Sequence, residues 1–193
     1  MSNLIRRIAD KINRLAGVSI EQVYVYSLTK ECGLPDLVSP PGLQVQRLER
    51  TEMALLQQAY SAFDLAELDL PQRQNSQCYA AFLTGQLVHY SWVQASGPHK
   101  ILEAGRSIDV APGEFWIYDC RTIPSVRGMG IYPFMLARIA RDQFEQGAQE
   151  GLIYTTKENL ASQAGIRKAG FTMIKTMRGL RIGQHFRSLG VKR

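Results

Sequence analysis

The sequence predicts an α/β domain, and three observations carry that expectation. Gln77 to Leu83 and Gln86 to Gln94 are two β-prone runs joined by Thr84-Gly85, a two-residue hairpin connection. Glu114 to Ile123 is dense in aromatic and β-branched residues, the composition of a buried strand. Behind it, loop, helix, strand, helix and strand patterns alternate as far as about Phe186.

The bounds agree. The chain has 193 residues, enough for one ordinary domain with a short extension and a real core. Hydrophobic residues make up 45% and charged residues 21%, which excludes a mainly disordered chain. No apolar run approaches the roughly 20 residues that span a bilayer, and Met1 to Ala16 lacks the apolar centre of a secretory leader. Cys32, Cys78 and Cys120 are too scattered for a disulfide scaffold and form no CxxC or Cys/His cluster. The expected compartment is therefore the reducing cytoplasm, with no metal.

Taken in order, Leu4, Ile5, Ile8, Ile12 and Leu15 share one helical stripe with basic residues mostly opposite, and Gly17 stops it. The stripe is expected to pack on the domain or on a second copy of the chain, as in a homodimer; its basic side also suits a weak membrane-surface contact. Val23 to Leu28 is β-prone, and proline-rich Gly33 to Gly42 reads as a linker. The expected division is therefore 1–41 for the extension and 42–193 for the main domain. Leu43 to Leu48 begins that domain as a strand, and Thr51 caps a helix to about Phe63. Pro71 to Ser76 is polar loop, and Ile101 to Val110 holds a short strand. After the long strand come a glycine loop, a helix over Ile131 to about Gln146, a strand at Leu152 to Thr156 and a helix over Asn159 to Lys168. Phe171 to Met177 and Leu180 to Phe186 read as a final pair turning at Gly179.

Charge is unevenly placed. The net charge is +6, yet eight of the 23 Lys and Arg residues follow Glu158, the last acidic residue, leaving 15 basic against 17 acidic residues before it. A basic tail of this kind attracts phosphates. No recognition helix or stacking platform accompanies it, so nucleic acid is not the expected partner.

The chemistry concentrates in Pro124-Ser125-Val126-Arg127-Gly128-Met129-Gly130, between a strand and a helix. Glycines let backbone N–H groups converge, and the helix adds its positive end, which makes a cradle for pyrophosphate. No Gly-Lys-Ser/Thr follows, and G-x-G-x-x-G is absent, so neither a Walker loop nor a dinucleotide fingerprint is present.

Arg127-Gly128-Met129-Gly130-Ile131-Tyr132 resembles the R-x-x-G-x-G/A acyl-CoA loop of the GNAT N-acyltransferase superfamily. Leu152 to Thr156, Asn159 and Lys168-Ala169-Gly170-Phe171 resemble its next strand, asparagine-led helix and terminal Gly-Phe. The resemblance spans about Gly42 to Phe186. It implies a mixed, mostly antiparallel central sheet flanked by helices. It also implies an acetyltransferase that uses acetyl-CoA, or another acyl-CoA, as co-substrate and a small-molecule amine or amino-sugar precursor as acceptor. Amides from Val126 through Arg127, Gly128, Met129 and Gly130 to Ile131 would hold the pyrophosphate. Thr122 and Ile123 would pair with the pantetheine arm, and Asn159 would contact the cofactor nearby. Asp119, Glu114 and His89 are the candidate bases for the amine. Two positions depart from the family pattern: Tyr132 replaces a small residue, and Ile166 stands where many members keep a tyrosine acid. A non-catalytic nucleic-acid or membrane-surface binder on the same scaffold is the alternative.

Overall fold

The computed structural model describes residues 17–52, 55–56, 73, 75–183 and 185–192. The N-terminal stripe and most of the helix expected from Thr51 to Phe63 lie outside them. Ten strands and two α-helices fall within: β1 (Val18–Thr29), β2 (Leu43–Leu48), β3 (Ser76–Leu83), β4 (Gln86–Gln94), β5 (Gly97–Ile101), β6 (Arg106–Val110), β7 (Glu114–Thr122), α1 (Ile131–Glu145), β8 (Glu150–Thr156), α2 (Leu160–Lys168), β9 (Thr172–Ile182) and β10 (His185–Lys192).

Eight strands form one sheet in the order β10-β9-β1-β8-β7-β4-β3-β2, and β5 pairs with β6 as a separate ribbon. Every neighbour in the large sheet is antiparallel except β7 and β8. The β3–β4 hairpin forms as expected: Thr84 and Gly85 both take positive φ, +49° and +80°, which suits the tight two-residue turn. β1 runs between β8 and β9, so residues 18–29, which precede the proline-rich stretch, share one sheet with residues 43–192.

Strand alternation sorts the core into two layers. Tyr26, Leu28, Phe115, Ile117 and Ile153 face α1 and α2, where Ile131, Met135, Leu136, Ile139 and Phe144 complete the packing. Phe115 meets Phe144 edge-on at 5.7 Å. Val23, Val25, Trp116, Leu152 and Met177 face the β5–β6 ribbon with Ile101, Ala104 and Val110. Each of these larger apolar side chains, fully buried, is worth about 1.5–3 kcal/mol.

Glycine explains one difference from the expected layout. β9 runs unbroken through Gly179 and turns at Gly183. Gly179 sits mid-strand because a Cβ there would lie 2.1 Å from the Glu103 carbonyl oxygen. The ribbon presses on the strand at this point, and only glycine clears it.

Gly151 on β8 has a similar role, since a Cβ there would lie 2.4 Å from the Phe115 ring. Gly151→Ala is expected to destabilise the protein by about 1–3 kcal/mol through overpacking, outweighing the better strand propensity of alanine. Urea denaturation would measure this, and an unchanged midpoint would contradict the packing.

Candidate active site

β7 and β8 pair in parallel only from Glu114↔Glu150 to Ile117↔Ile153. Beyond that they diverge, because β7 carries a bulge. Tyr118 opposes Trp92 on β4 and Arg121 opposes Tyr90, so an extra residue is taken up between them. Asp119 lies in this bulge at φ +45°. The bulge turns Cys120 and Thr122 towards the helices, while Tyr118 faces His99 of the ribbon.

A cleft of about 550 Å³ opens at the diverging ends. β7 contributes Cys120, Arg121 and Thr122; the following loop contributes Val126, Arg127, Gly128 and Gly130; α1 and α2 contribute residues from Ile131 to Pro133 and from Asn159 to Lys168. Gly128 and Gly130 take φ +84° and +81°, and a Cβ on either would project into open space. The N–H groups of Gly128, Gly130, Ile131 and Tyr132 donate to no backbone carbonyl among the described residues. They collect at the positive end of α1. Arg121, Arg127 and Lys168 line the same cleft, and no acidic residue lines it. This arrangement can hold a phosphate-rich, extended ligand whose far end enters between the strands.

No protein-family model matches the sequence, and no curated protein matches it. Solved structures do. The chain is similar to a GCN5-related N-acetyltransferase from Sphaerobacter thermophilus, with a TM-score of 0.62 at 16% identity over 93% of this chain and 56% of that one. It is similar to a GCN5-related N-acetyltransferase from Kribbella flavida, with a TM-score of 0.61 at 16% identity over 94% of this chain and 63% of that one. It is also similar to the ribosomal-protein-S18-alanine N-acetyltransferase from Escherichia coli, with a TM-score of 0.52 at 12% identity over 67% of this chain and 77% of that one.

The fold is that of the GNAT N-acyltransferases. The chain spans somewhat over half the length of the first two proteins, and identities this low speak for the fold rather than for a substrate.

On this GNAT scaffold the residues expected to hold a cofactor fall together. Thr122, Val126, Arg127, Gly128, Gly130, Ile131 and Asn159 all line the cleft. Ile123 is buried behind it and donates its N–H to the Val88 carbonyl, and Met129 is about half exposed on the loop. Asn159 caps α2, its Oδ1 accepting the Ser162 N–H at 3.0 Å, and it faces the cleft as well.

None of the three expected bases lines the cleft. Glu114 begins β7, about 26 Å of strand from Thr122, and its Oε2 accepts the Ala111 N–H at 3.1 Å. Asp119 is at the bulge, but its oxygens accept from Arg73 Nη2 at 2.7 Å and Arg121 Nε at 3.1 Å. Both of its oxygens are thus taken up by guanidiniums on the sheet rather than turned into the cleft. His89 is fully buried, and its ring nitrogens bond Thr122 Oγ1 at 2.7 Å and Ser91 Oγ at 2.8 Å. Desolvation pushes its pKa down to about 3, so the ring is neutral. Cys120 faces the cleft with its thiol pushed up to about 12 by burial. It is not an activated nucleophile.

Both GNAT departures have structural counterparts. Ile166 is wholly buried in the helix-side core. Tyr132 lies over Gly165 of α2, where a Cβ would come within 2.4 Å of its ring, and its hydroxyl is 3.1 Å from Ser162 Oγ. The phenol therefore occupies the gap between the two helices. Two further polar side chains with tertiary partners escaped the sequence reading. Arg73 falls in a stretch read as polar loop, and His99, at 3% exposure, stacks on Trp116 at 4.8 Å.

Burial lowers the His99 pKa to about 4, as it lowers that of His89. Both rings bind a proton less readily folded than unfolded. Their stabilising contribution is complete above the ordinary value of 6.5 and declines as pH falls towards 3–4. Each proton costs up to about 1.4 kcal/mol per pH unit. Denaturation at pH 7.5 and pH 5.0 is expected to show lower stability at pH 5.0, with the His89 and His99 NMR signals remaining neutral in the folded protein. Folded-state titration of both rings near pH 6.5 would contradict their placement.

Proposed function

We propose that the chain is an N-acyltransferase that moves an acetyl group from acetyl-CoA to the primary amine of a small molecule, an amino-sugar precursor being one such acceptor. The observation that carries this is the meeting of three features in one cleft. These are the diverging ends of β7 and β8, four N–H groups at the head of α1 that donate to no backbone carbonyl among the described residues, and three cations, Arg121, Arg127 and Lys168, in a lining that holds no acidic residue.

The residues fit the co-substrate. The amides of Gly128, Gly130, Ile131 and Tyr132 suit the pyrophosphate, with Arg127 and Lys168 nearby for the remaining phosphate. The edge of β7 at Cys120 to Thr122, no longer paired with β8, suits the amide-bearing arm. Bound there, acetyl-CoA supplies an activated acyl thioester. The acceptor ammonium first gives one proton to solvent. Its nitrogen then forms the C–N bond to the acyl carbon, the C–S bond breaks, and a second proton passes to the departing sulfur. Net products are an amide, free CoA thiol and one proton.

Tyr132 is suited to protonating the sulfur. Its hydroxyl lines the cleft beside Ser162, and desolvation raises its pKa well above the ordinary value of 10, so it stays protonated at neutral pH. It supplies from α1 a phenol that Ile166 cannot supply from α2.

Thermal stability is expected to rise saturably with acetyl-CoA. Gly130→Glu places a carboxylate in the cradle and should weaken CoA binding by roughly 100-fold or more; unchanged affinity by calorimetry would overturn the assignment. Tyr132→Phe should lower kcat by 10-fold or more, within the usual range for a general acid, with CoA affinity retained. A full-rate variant would remove Tyr132 from the reaction.

A further inference from the structure

Five of the ten large apolar side chains that stand exposed among the described residues lie on β1, β9 and β10. The uncovered apolar surface is thus concentrated at one edge of the sheet. β8 stops short there. It pairs with β1 only as far as Val23↔Thr156, whereas β1 continues beside β9 to Val18↔Ile182, and β10 follows β9 from His185↔Ile182. Residues 18–22, 178–182 and 185–190 therefore make a three-stranded tongue that reaches about 17 Å past the end of β8.

The two faces of the tongue differ. Opposed residues of an antiparallel pair point to the same side, and successive residues alternate. The ribbon side is occupied. Glu103 lies against Gly179, a Cβ on Gly105 would meet the Arg187 backbone at 2.7 Å, and Glu21 pairs with Arg181 at 3.2 Å. The other side continues the face on which Tyr26 and Leu28 meet the helices, but on the tongue it lies open. Ile20 is 66% exposed and Ile182 46%, and Leu180, opposite Ile20, is half-buried. Arg187 opposes Leu180 from β10, and Arg178 follows on the same side of β9. Both arginines are exposed, and neither makes an ion pair among the described residues. No acidic residue stands on this face of the three segments.

The covering for such a face must be apolar and anionic at once. A second copy meeting it face to face would set Arg178 and Arg187 against their own counterparts. Nucleic acid supplies phosphates, but its bases stack on aromatic side chains, whereas Ile20, Leu180 and Ile182 are aliphatic. An anionic bilayer supplies both components: headgroup phosphates for the guanidiniums and, a few ångströms deeper, acyl chains for the aliphatic groups. The sequence that enters the tongue at Gly17 has the same two components. It carries the apolar stripe from Leu4 to Leu15, and Arg6, Arg7, Lys11 and Arg14 against Asp10 alone. Its cations would be repelled by Arg178 and Arg187, but they suit the same lipid surface.

We propose that the open face of the tongue is a contact site for anionic phospholipid. Ile20, Leu180 and Ile182 enter the bilayer interface, and Arg178 and Arg187 bind headgroup phosphates. The contact is peripheral and weakens with salt. It does not depend on the acyl-transfer reading, because none of these residues lines the cleft.

The test is sedimentation of the full chain with vesicles of phosphatidylcholine, alone or mixed with an equal part of phosphatidylglycerol. Binding to the mixed vesicles is expected to be roughly 10-fold or more tighter than to phosphatidylcholine. Ile20→Ser with Ile182→Ser, and separately Arg178→Gln with Arg187→Gln, should each weaken it by roughly 10-fold or more. All four side chains are exposed, so circular dichroism and the melting temperature should be unchanged. Arg178→Lys with Arg187→Lys should keep most of the binding, since the charge remains. A mixed-sequence RNA and analytical ultracentrifugation read the other occupants. The proposal is overturned if the mixed vesicles do not bind, or if binding survives either double substitution. It is equally overturned if the isoleucine pair is needed for RNA binding or self-association in place of vesicle binding.

Discussion

Asp119 adopts φ +45°, a backbone state that costs a non-glycine residue about 1–3 kcal/mol. Arg73 and Arg121 clasp its carboxylate and hold it there. The cleft depends on this arrangement. The extra residue in β7 lets the strand follow β4 while leaving β8, so two parallel neighbours separate although neither reaches the edge of the sheet. Without the bulge, β7 could keep its register with β8 past Ile117, and the unpaired backbone beside Cys120 would be lost.

The same bulge distributes side chains between the two faces of the sheet. Cys120 and Thr122 turn towards the glycine loop and the helices, whereas Tyr118 stays with His99 on the side of the ribbon. The glycine loop and the Arg73 guanidinium thus meet at one strand: Asp119, whose backbone forms the bulge, also holds Arg73 through its carboxylate.

What could be read from the residues follows from the range of the interactions. The Thr84-Gly85 hairpin, the aromatic run of β7, the Asn159 cap and the loop from Arg127 to Gly130 are local devices, so sequence exposes them. The placement of β1 could not be read in this way, because its partners are β8 and β9 and nothing in Val18–Thr29 names them. Gly179 looked like a turn because glycine usually marks one. Its cause is a carbonyl from a distant segment, which no local pattern carries. The site divided along the same line. The glycine loop and its run of free N–H groups were legible, but His89, Asp119 and Glu114 were chosen by residue type, and their hydrogen-bond partners decide what they can do. Arg73 and His99 became visible only once tertiary structure brought both of them up to Tyr118.

The position of β1 also bears on how the protein is made. Thr29 is hydrogen-bonded in register with Glu150, and Val18 with Ile182. On a ribosome β1, an interior strand of the sheet, leaves the exit tunnel well before either neighbour, because β8 and β9 lie more than 100 residues further along the chain. During that interval β1, with Tyr24, Val25 and Tyr26 in succession, has two open edges and no permanent partner. Unpaired strand edges of this kind are prone to aggregate while folding is incomplete. Contacts that distant in sequence also make folding slow relative to synthesis. The sheet therefore cannot close around β1 until β8 and β9 have been made.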